Sequence, residues 1–154
     1  MNELLSLFEA LTGHLDKLTE LAKQKTLVVR KSDLIELDQI LREEQALSLA
    51  LRGAEQKRTA LLQKLGLTNV PLTELATKAP ESLQQKTRNT VDALRRSYQI
   101  YASAADTARN TLECNLHEVE RFLAAAGAEG TVPAGYGTST NVEPPSQMKA
   151  DFRA

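Results

Sequence analysis

This 154-residue chain has few aromatic residues, a single cysteine and nearly balanced charge. Aromatic residues make up only 4% and tryptophan is absent, so any core must be built mainly from aliphatic side chains. The single cysteine, Cys114, excludes a disulfide within the chain and fits a reducing compartment. The formal net charge of −1 provides no basic field that would attract nucleic acid or an anionic membrane.

Long apolar runs and cofactor motifs are also missing. No stretch approaches the ~18 consecutive apolar residues of a membrane span, and no basic segment precedes an apolar run near Met1. We therefore expect a cytoplasmic protein with no direct membrane insertion. The sequence contains neither GxGxxG nor GxxxxGK[ST], so we expect no nucleotide cofactor.

The residues that are abundant are strong helix formers, and they organise around one long stretch, Pro80–Ala126. Apolar residues recur there at spacings of three and four over about five heptads, which predicts a helix roughly 70 Å long. Such a helix needs other long helices beside it. The stripe consists of Val91, Leu94, Tyr98, Tyr101, Ala105, Ala108, Leu112, the polar Asn115, Val119, Phe122 and Ala126.

Two shorter helices precede the long one. The first is predicted to begin after a cap at Asn2, and Lys25–Lys31 either forms its last turns or an extended joint. The second is predicted to be capped by Ser32 or Asp33 and to end near Leu65, before Gly66. Its apolar face is predicted to consist of Leu34, Leu37, Leu41, Leu47, Leu51, Ala54, Leu61 and Leu65, with Arg58 interrupting it and Glu43 and Glu44 on the solvated side.

The short joint makes these two helices antiparallel neighbours, and the connection from Leu67 to Ala79 leads to the long helix. The fold class is therefore all-α: an antiparallel helical hairpin plus one long C-terminal helix, resembling a three-helix bundle or coiled coil. At Gly127 the composition changes to glycine, proline and small polar residues. We predict a helical domain over 1–126 and a disordered tail over 127–154.

Candidate chemistry is sparse. Glu113, Cys114 and His117 could share a helix face and bind a metal, but further ligands would have to come from another helix. The alternative is a polar helix face with Cys114 half-buried. We predict no catalytic, metal or cofactor site.

Two features have alternative interpretations. The stripe of the long helix could be intramolecular core over Val91–Tyr101 and Leu112–Phe122, or part of it could accept an amphipathic helix from a partner. The small residues of Ala102–Asn110 predict the weakest burial. In the tail, Tyr136 is either an incidental aromatic residue or the anchor of a linear motif.

The arrangement resembles the FlgN-type flagellar export chaperones. The resemblance covers nearly the whole chain and begins with the order of parts: two Leu-rich helices, a Pro-containing joint, one long helix and a Gly/Pro tail. Glu44–Leu62 is similar to the family's second helix. The most specific parts are Asn110–Leu123, with its Asn–Leu run, and the tail Tyr136–Gly137, followed by a polar end at Lys149–Ala154.

The resemblance implies a non-enzymatic chaperone that binds the C-terminal helical segments of the hook–filament junction proteins FlgK and FlgL. Such a chaperone prevents premature assembly in the cytoplasm and delivers its clients to the export-gate protein FlhA, and Tyr136 matches the tyrosine that docks on FlhA. The alternative is a structural coiled-coil adaptor or homodimer without a client. The implied client-binding residues are Leu94, Tyr98, Tyr101, Ala105, Ala108, Asn110, Leu112, Leu116, Val119 and Leu123.

Overall fold

The computed structural model describes residues 1–127, and this part of the chain is all-α, as predicted. The tail predictions, including Tyr136, concern residues outside those described. The elements are α1 (Asn2–Lys31), α2 (Leu34–Lys64), a 3₁₀ turn (Leu72–Glu74), α3 (Leu75–Lys78) and α4 (Glu81–Ala125).

The first helix, α1, supplies most of the core. Its apolar residues repeat at spacings of three and four, and the resulting face is buried, with Leu5 and Phe8 fully inaccessible to solvent. The predicted cap at Asn2 is wrong, because Asn2 lies inside the helix and Met1 precedes it without a side-chain cap. The other buried apolar residues of α1 are Leu4, Leu11, Leu15, Leu18, Leu21, Ala22, Val28 and Val29.

The joint between α1 and α2 is only two residues long, so Lys25–Lys31 belongs to the helix. Ser32 adopts a left-handed conformation (φ 57°) and its N–H bonds the Val29 carbonyl, while the Asp33 N–H bonds the Val28 carbonyl. This pattern is a Schellman motif formed without glycine. Asp33 then caps α2, as predicted, because its carboxylate accepts from the N–H groups of residues 35 and 36.

The buried face of α2 differs from the prediction. Leu34, Leu41 and Leu65 are exposed, whereas Ile40 and Leu62 are buried. The reason is that only α1 packs closely against α2: within the described chain, α2 and α4 have no Cα atoms within 8 Å of each other. A single neighbouring helix, α1, buries a narrower stripe of α2 than a groove between two helices would bury.

Two polar residues also lie at the α1–α2 seam. Glu44 is not on the solvated side, because it forms a largely buried ion pair with Lys25, the residue that interrupts the apolar stripe of α1. Arg58 pairs with Glu55 one turn earlier on α2, which keeps its head group satisfied while its stem covers the seam. Lys25 interrupts the apolar pattern of α1 and Arg58 interrupts that of α2, and each of these residues is paired with a carboxylate.

The connection to α4 follows the predicted course. Gly66 has φ 68°, and the Leu67 N–H reaches back to the Leu62 carbonyl at 2.9 Å, so α2 ends in a second Schellman motif. Leu75 of α3 is buried in the main core, which ties the connection to the bundle. Pro80 is the N-cap residue of α4, one position earlier than the helix proper.

Candidate functional site

The relative placement of α4 and α1 decides which part of the long helix is covered. Three side-chain contacts fix the register: Lys86 Nζ lies 3.6 Å from Glu9 Oε1, Ser97 Oγ donates to Asp16 Oδ1 at 2.8 Å, and Asn115 Nδ2 donates to the Val29 carbonyl at 2.8 Å. Residue numbers rise together on both helices, so α1 and α4 run parallel, and α2 runs antiparallel to them.

The hairpin ends within one helical turn of the level of Asn115. Val29 is followed by only two more residues of α1 before the chain turns at Ser32. The helix α4 continues to Ala125, so about seven residues, or ~10 Å of helix, extend past the level of Ser32. We call residues 116–125 the α4 extension.

The α4 extension carries an uncovered apolar face. Phe122 is 74% exposed and Leu116 is 60% exposed, and Val119 and Leu123 are about half exposed. At ~100° per residue, these four side chains and the half-buried Leu112 fall within an arc of about 120°. An apolar face of this width, which no helix of residues 1–127 covers, is a candidate surface for packing against another helix.

Charged residues border this face on both sides. By helix geometry, Glu113 and Glu120 lie along one edge of the apolar arc and Glu118 lies along the other. Arg121 lies on the opposite side of the helix. The acidic edges and the apolar arc together describe an amphipathic surface.

The predicted client-binding residues divide into three groups in the structure. Leu94 and Ala108 are 3% and 2% exposed, so a partner could reach them only if the bundle opened. Tyr98, Tyr101, Ala105 and Leu112 are half-buried. Asn110, Leu116, Val119 and Leu123 are exposed.

The segment Ala102–Asn110 is not the weakly covered part of α4. Ala108 is buried, and Ala102, Ala104 and Ala105 are half-buried. Small side chains let two helices approach closely, so a thin stripe can still be well covered when a helix lies opposite it. The uncovered part is the α4 extension, because no helix of the described chain lies opposite it.

Phe122 is the functional candidate that the sequence pattern assigned to the core. It occupies a stripe position, and only its distance past the hairpin tip makes it exposed. The signal that could have revealed this is length: the helices of the hairpin have 30 and 31 residues, whereas α4 has 45. A partner of 30 residues cannot cover a helix of 45.

The Tyr101 phenol of α4 lies near the Lys25–Glu44 ion pair, below the α4 extension. Burial raises the pKa of the Tyr101 phenol above its ordinary value of 10.0, and the nearby carboxylate of Glu44 raises the pKa further, while Arg109 lowers it. Glu44 is in turn paired with Lys25 of α1. The side chains of Glu44 on α2 and Tyr101 on α4 therefore lie near each other at a level where the two backbones stay apart.

The candidate metal site is not assembled in the described chain. Cys114 is exposed rather than half-buried, and His117 Nδ1 lies 3.2 Å from Glu120 Oε2 on the solvated side of α4. Among residues 1–127, no three His, Cys, Asp or Glu side chains are grouped closely enough to hold a metal ion. Likewise, no helix among these residues is long and apolar enough to cross a membrane.

One of three comparisons with known proteins gives a match. The comparisons with curated proteins and with solved structures give no match. The family model described as FlgN protein matches residues 1–143, which include the whole helical body, the α4 extension and Tyr136. A match over this share of the chain, together with the all-α hairpin and long final helix, shows that the chain belongs to the FlgN family of flagellar export chaperones.

Proposed function

We propose that this protein is a cytoplasmic chaperone of the type III flagellar export pathway that binds the C-terminal helical segments of FlgK and FlgL. In this role it prevents premature assembly of the two hook–filament junction proteins and delivers them to FlhA. It has no catalytic activity. The observation that supports the proposal best is the apolar face of the α4 extension, which the packed hairpin leaves uncovered.

A client helix that assembles through an apolar stripe needs a temporary replacement for its missing neighbour. Leu112, Leu116, Val119 and Leu123 follow the i, i+4, i+7, i+11 spacing with which one helix packs along another. We therefore place the client on the α4 extension and not on Leu94 or Ala108.

The size of the face suits a reversible complex. Its four exposed side chains amount to roughly two fully exposed ones, whose burial would contribute ~3–6 kcal/mol, and a client would contribute a similar amount from its own side chains. Association costs ~4–15 kcal/mol in lost freedom, so only a modest surplus remains. Micromolar affinity, about −8 kcal/mol, is the upper limit of this balance, and it permits release at the export gate.

The proposal is tested by calorimetric titration of a C-terminal helical peptide of FlgK or FlgL into the protein. We expect binding by the wild type and a Kd weakened by at least about ten-fold in Leu116→Ser. The matched control is Ile100→Ser, because Ile100 is similarly exposed on α4, lies 16 residues before Leu116 and falls outside the apolar arc. Absence of binding by the wild type, or equal losses in both variants, would refute the assignment.

Delivery is assigned to the tail through Tyr136, on the basis of the family resemblance. In Tyr136→Ala we expect unchanged client binding but weaker capture of the cytoplasmic part of FlhA and reduced export of FlgK. Tyr136→Phe separates the ring from its hydroxyl group. A loss of client binding in Tyr136→Ala would contradict the division between α4 and the tail.

The alternative, a homodimer or structural adaptor, is supported by the same uncovered face. Light scattering distinguishes it. A dimer that persists on dilution and is dissociated by Leu116→Ser would favour self-association over client binding.

A further inference from the structure

The packed helices leave the face of the α4 extension bare, although it carries several large apolar side chains. Phe122 and Leu116 are both mostly exposed. An exposed apolar surface of this kind makes non-specific contacts when its partner is absent. A weak occupant that a client can displace would suppress those contacts.

The chain leaves α4 beside this bare face. The helix ends at Ala125, and Gly127 adopts a left-handed conformation (φ 70°), with its N–H bonding the Ala124 carbonyl. A left-handed residue at this position ends a helix. The residues that follow therefore do not continue the axis of α4, and they start next to the α4 extension.

Residues 146–154 can reach the face from there. About 20 residues separate Gly127 from Met148, and a chain of that length spans up to ~70 Å when extended. The apolar face runs from Leu112 to Leu123, which is ~17 Å of helix. The connection is therefore long enough for this segment to meet any part of the face.

Residues 146–154 have the sequence pattern of a short amphipathic helix. Met148 and Phe152 are four positions apart, so one helical turn would place both on the same face. Lys149 and Arg153 have the same spacing and would flank that face on one side. Two prolines precede the segment, and Ser146 is a favourable N-cap residue.

We propose that residues 146–154 occupy the apolar face of the α4 extension while no client is bound, with Met148 and Phe152 packed against it. The segment and the client then compete for one surface, so this inference rests on the proposed function and adds a regulation of that same site. The family model matches residues 1–143, so the segment lies outside the matched part of the chain.

Charge complementarity favours this occupant. Glu113 and Glu120 border one edge of the apolar arc, and the only Lys or Arg of residues 112–125, Arg121, lies on the opposite side of the helix. In the docked segment Lys149 and Arg153 face these two carboxylates. The pairing fixes which side of the segment lies toward that edge.

The docked segment is expected to be weakly held. Asp151 lies on its other side, toward Glu118, and these like charges oppose docking. At an effective concentration of ~3 mM, a segment with a Kd of ~1 mM is docked about three-quarters of the time. Docking would then raise the apparent Kd of the client about four-fold, and a client of micromolar affinity still displaces the segment.

The first experiment places a reporter in the segment. The chain has no tryptophan, so Phe152→Trp introduces a single one. We expect its fluorescence emission at shorter wavelength than that of a free peptide of residues 146–154 with the same substitution, because the docked ring is shielded from water. Adding Leu116→Ser should move the emission to that of the peptide, whereas adding Ile100→Ser should not. Emission equal to that of the free peptide in Phe152→Trp itself would overturn the inference.

Dilution and added client separate the possible occupants of the face. A shift that is unchanged on dilution shows that the segment docks on its own chain. A shift that disappears on dilution would show docking on a second copy and would contradict the proposal. Client peptide should return the emission to the free-peptide value, and an unchanged emission at saturating client would rule out competition.

The charge assignment is tested with the same reporter. Lys149→Glu/Arg153→Glu in the Phe152→Trp background should move the emission toward that of the free peptide, and high salt should do the same without these substitutions. If neither change affects the emission, the pairing with Glu113 and Glu120 is wrong.

The second experiment measures the competition. Client peptide is titrated into Phe152→Ser, and we expect a Kd about four-fold tighter than that of the wild type. The matched control is Val142→Ser, which removes an apolar side chain upstream of the segment and should leave the Kd unchanged. Equal client affinity in Phe152→Ser and the wild type would contradict the proposal.

The outcomes separate this inference from the proposed function. If the wild type fails to bind client peptide while the reporter shows a shift that depends on Leu116, the proposed function fails and the segment still docks. If the client binds, the reporter shows no shift and Phe152→Ser has the wild-type Kd, the proposed function stands and this inference is wrong.

Discussion

Leu94 and Leu116 provide a direct test of how α4 is divided. Both are leucines on the same helix, but Leu94 is 3% exposed and belongs to the main core, whereas Leu116 is 60% exposed beside the hairpin tip. Substitution of each by alanine removes the same atoms. Any difference in stability therefore reports the difference in packing.

The expected magnitudes follow from burial. Leu94→Ala removes a fully buried side chain and leaves a cavity between α4 and its neighbours, which costs ~2–5 kcal/mol. Leu116→Ala loses only the contacts of the covered fraction, about two-fifths of the side chain, and opens no enclosed cavity. We expect it to cost under ~1 kcal/mol, with part of the loss offset by the better helix propensity of alanine.

The measurement is equilibrium urea unfolding followed by circular dichroism at 222 nm, which reports an all-α domain well. The midpoint should fall strongly for Leu94→Ala and barely for Leu116→Ala, with an unchanged urea dependence in both. Client binding should show the reverse order at temperatures where both variants are folded. Similar losses of stability in the two variants would refute the register of α4 against α1.

Three further substitutions test local features. Ser32→Gly should raise the unfolding free energy by up to ~1 kcal/mol, because glycine adopts φ 57° without the steric cost that serine bears; an unchanged or lower urea midpoint would contradict this. Tyr101 has a raised pKa in the folded state, so its stabilising contribution is present below pH 10.0 and is lost as pH rises through the folded-state pKa. The Tyr101→Phe variant has no group to titrate there, so its thermal stability should fall less steeply at high pH. Asn115→Ala should cost ~1 kcal/mol in urea unfolding and no more, because the Val29 carbonyl keeps its bond from the Ser32 N–H.

The positions of the helices were predictable because their signals are local. Asp33 caps α2 through its own side chain, and Gly66 ends α2 through its own φ angle. Neither depends on which helices pack together. The end of α1 was harder to predict, because its local signal is weak. Ser32 adopts a left-handed conformation that is rare for serine, and no glycine marks the end of the helix.

The burial of α2 was not predictable from its own pattern. Several registers of its leucines give a reasonable stripe, and the choice depends on the position of α1 in three dimensions. The Lys25–Glu44 pair shows the difficulty, because a Lys or a Glu considered alone is predicted to be a solvent-exposed charge. Their partnership across 19 positions becomes visible only when the hairpin register is known.

The sequence indicated that α4 carries an apolar surface for a partner, but it did not indicate where along the helix that surface lies. A stripe of about five heptads indicated that the helix needs neighbours, and the resemblance indicated a client. The alanines at Ala105 and Ala108 suggested weak burial, yet Ala108 is buried and Ala105 is half-buried. Side-chain size was a poor guide, and the presence of an opposing helix was the deciding factor.

The α4 extension separates two requirements that would conflict on a single surface. A core that holds the bundle together must stay buried, whereas a client surface must be bare and must release its partner. If the hairpin were one heptad longer, it would reach ~10 Å further and cover Leu116, Val119 and Phe122. The bundle would gain stability from that burial and lose the proposed client surface, because the short hairpin, which turns at Ser32, is what leaves the end of α4 uncovered.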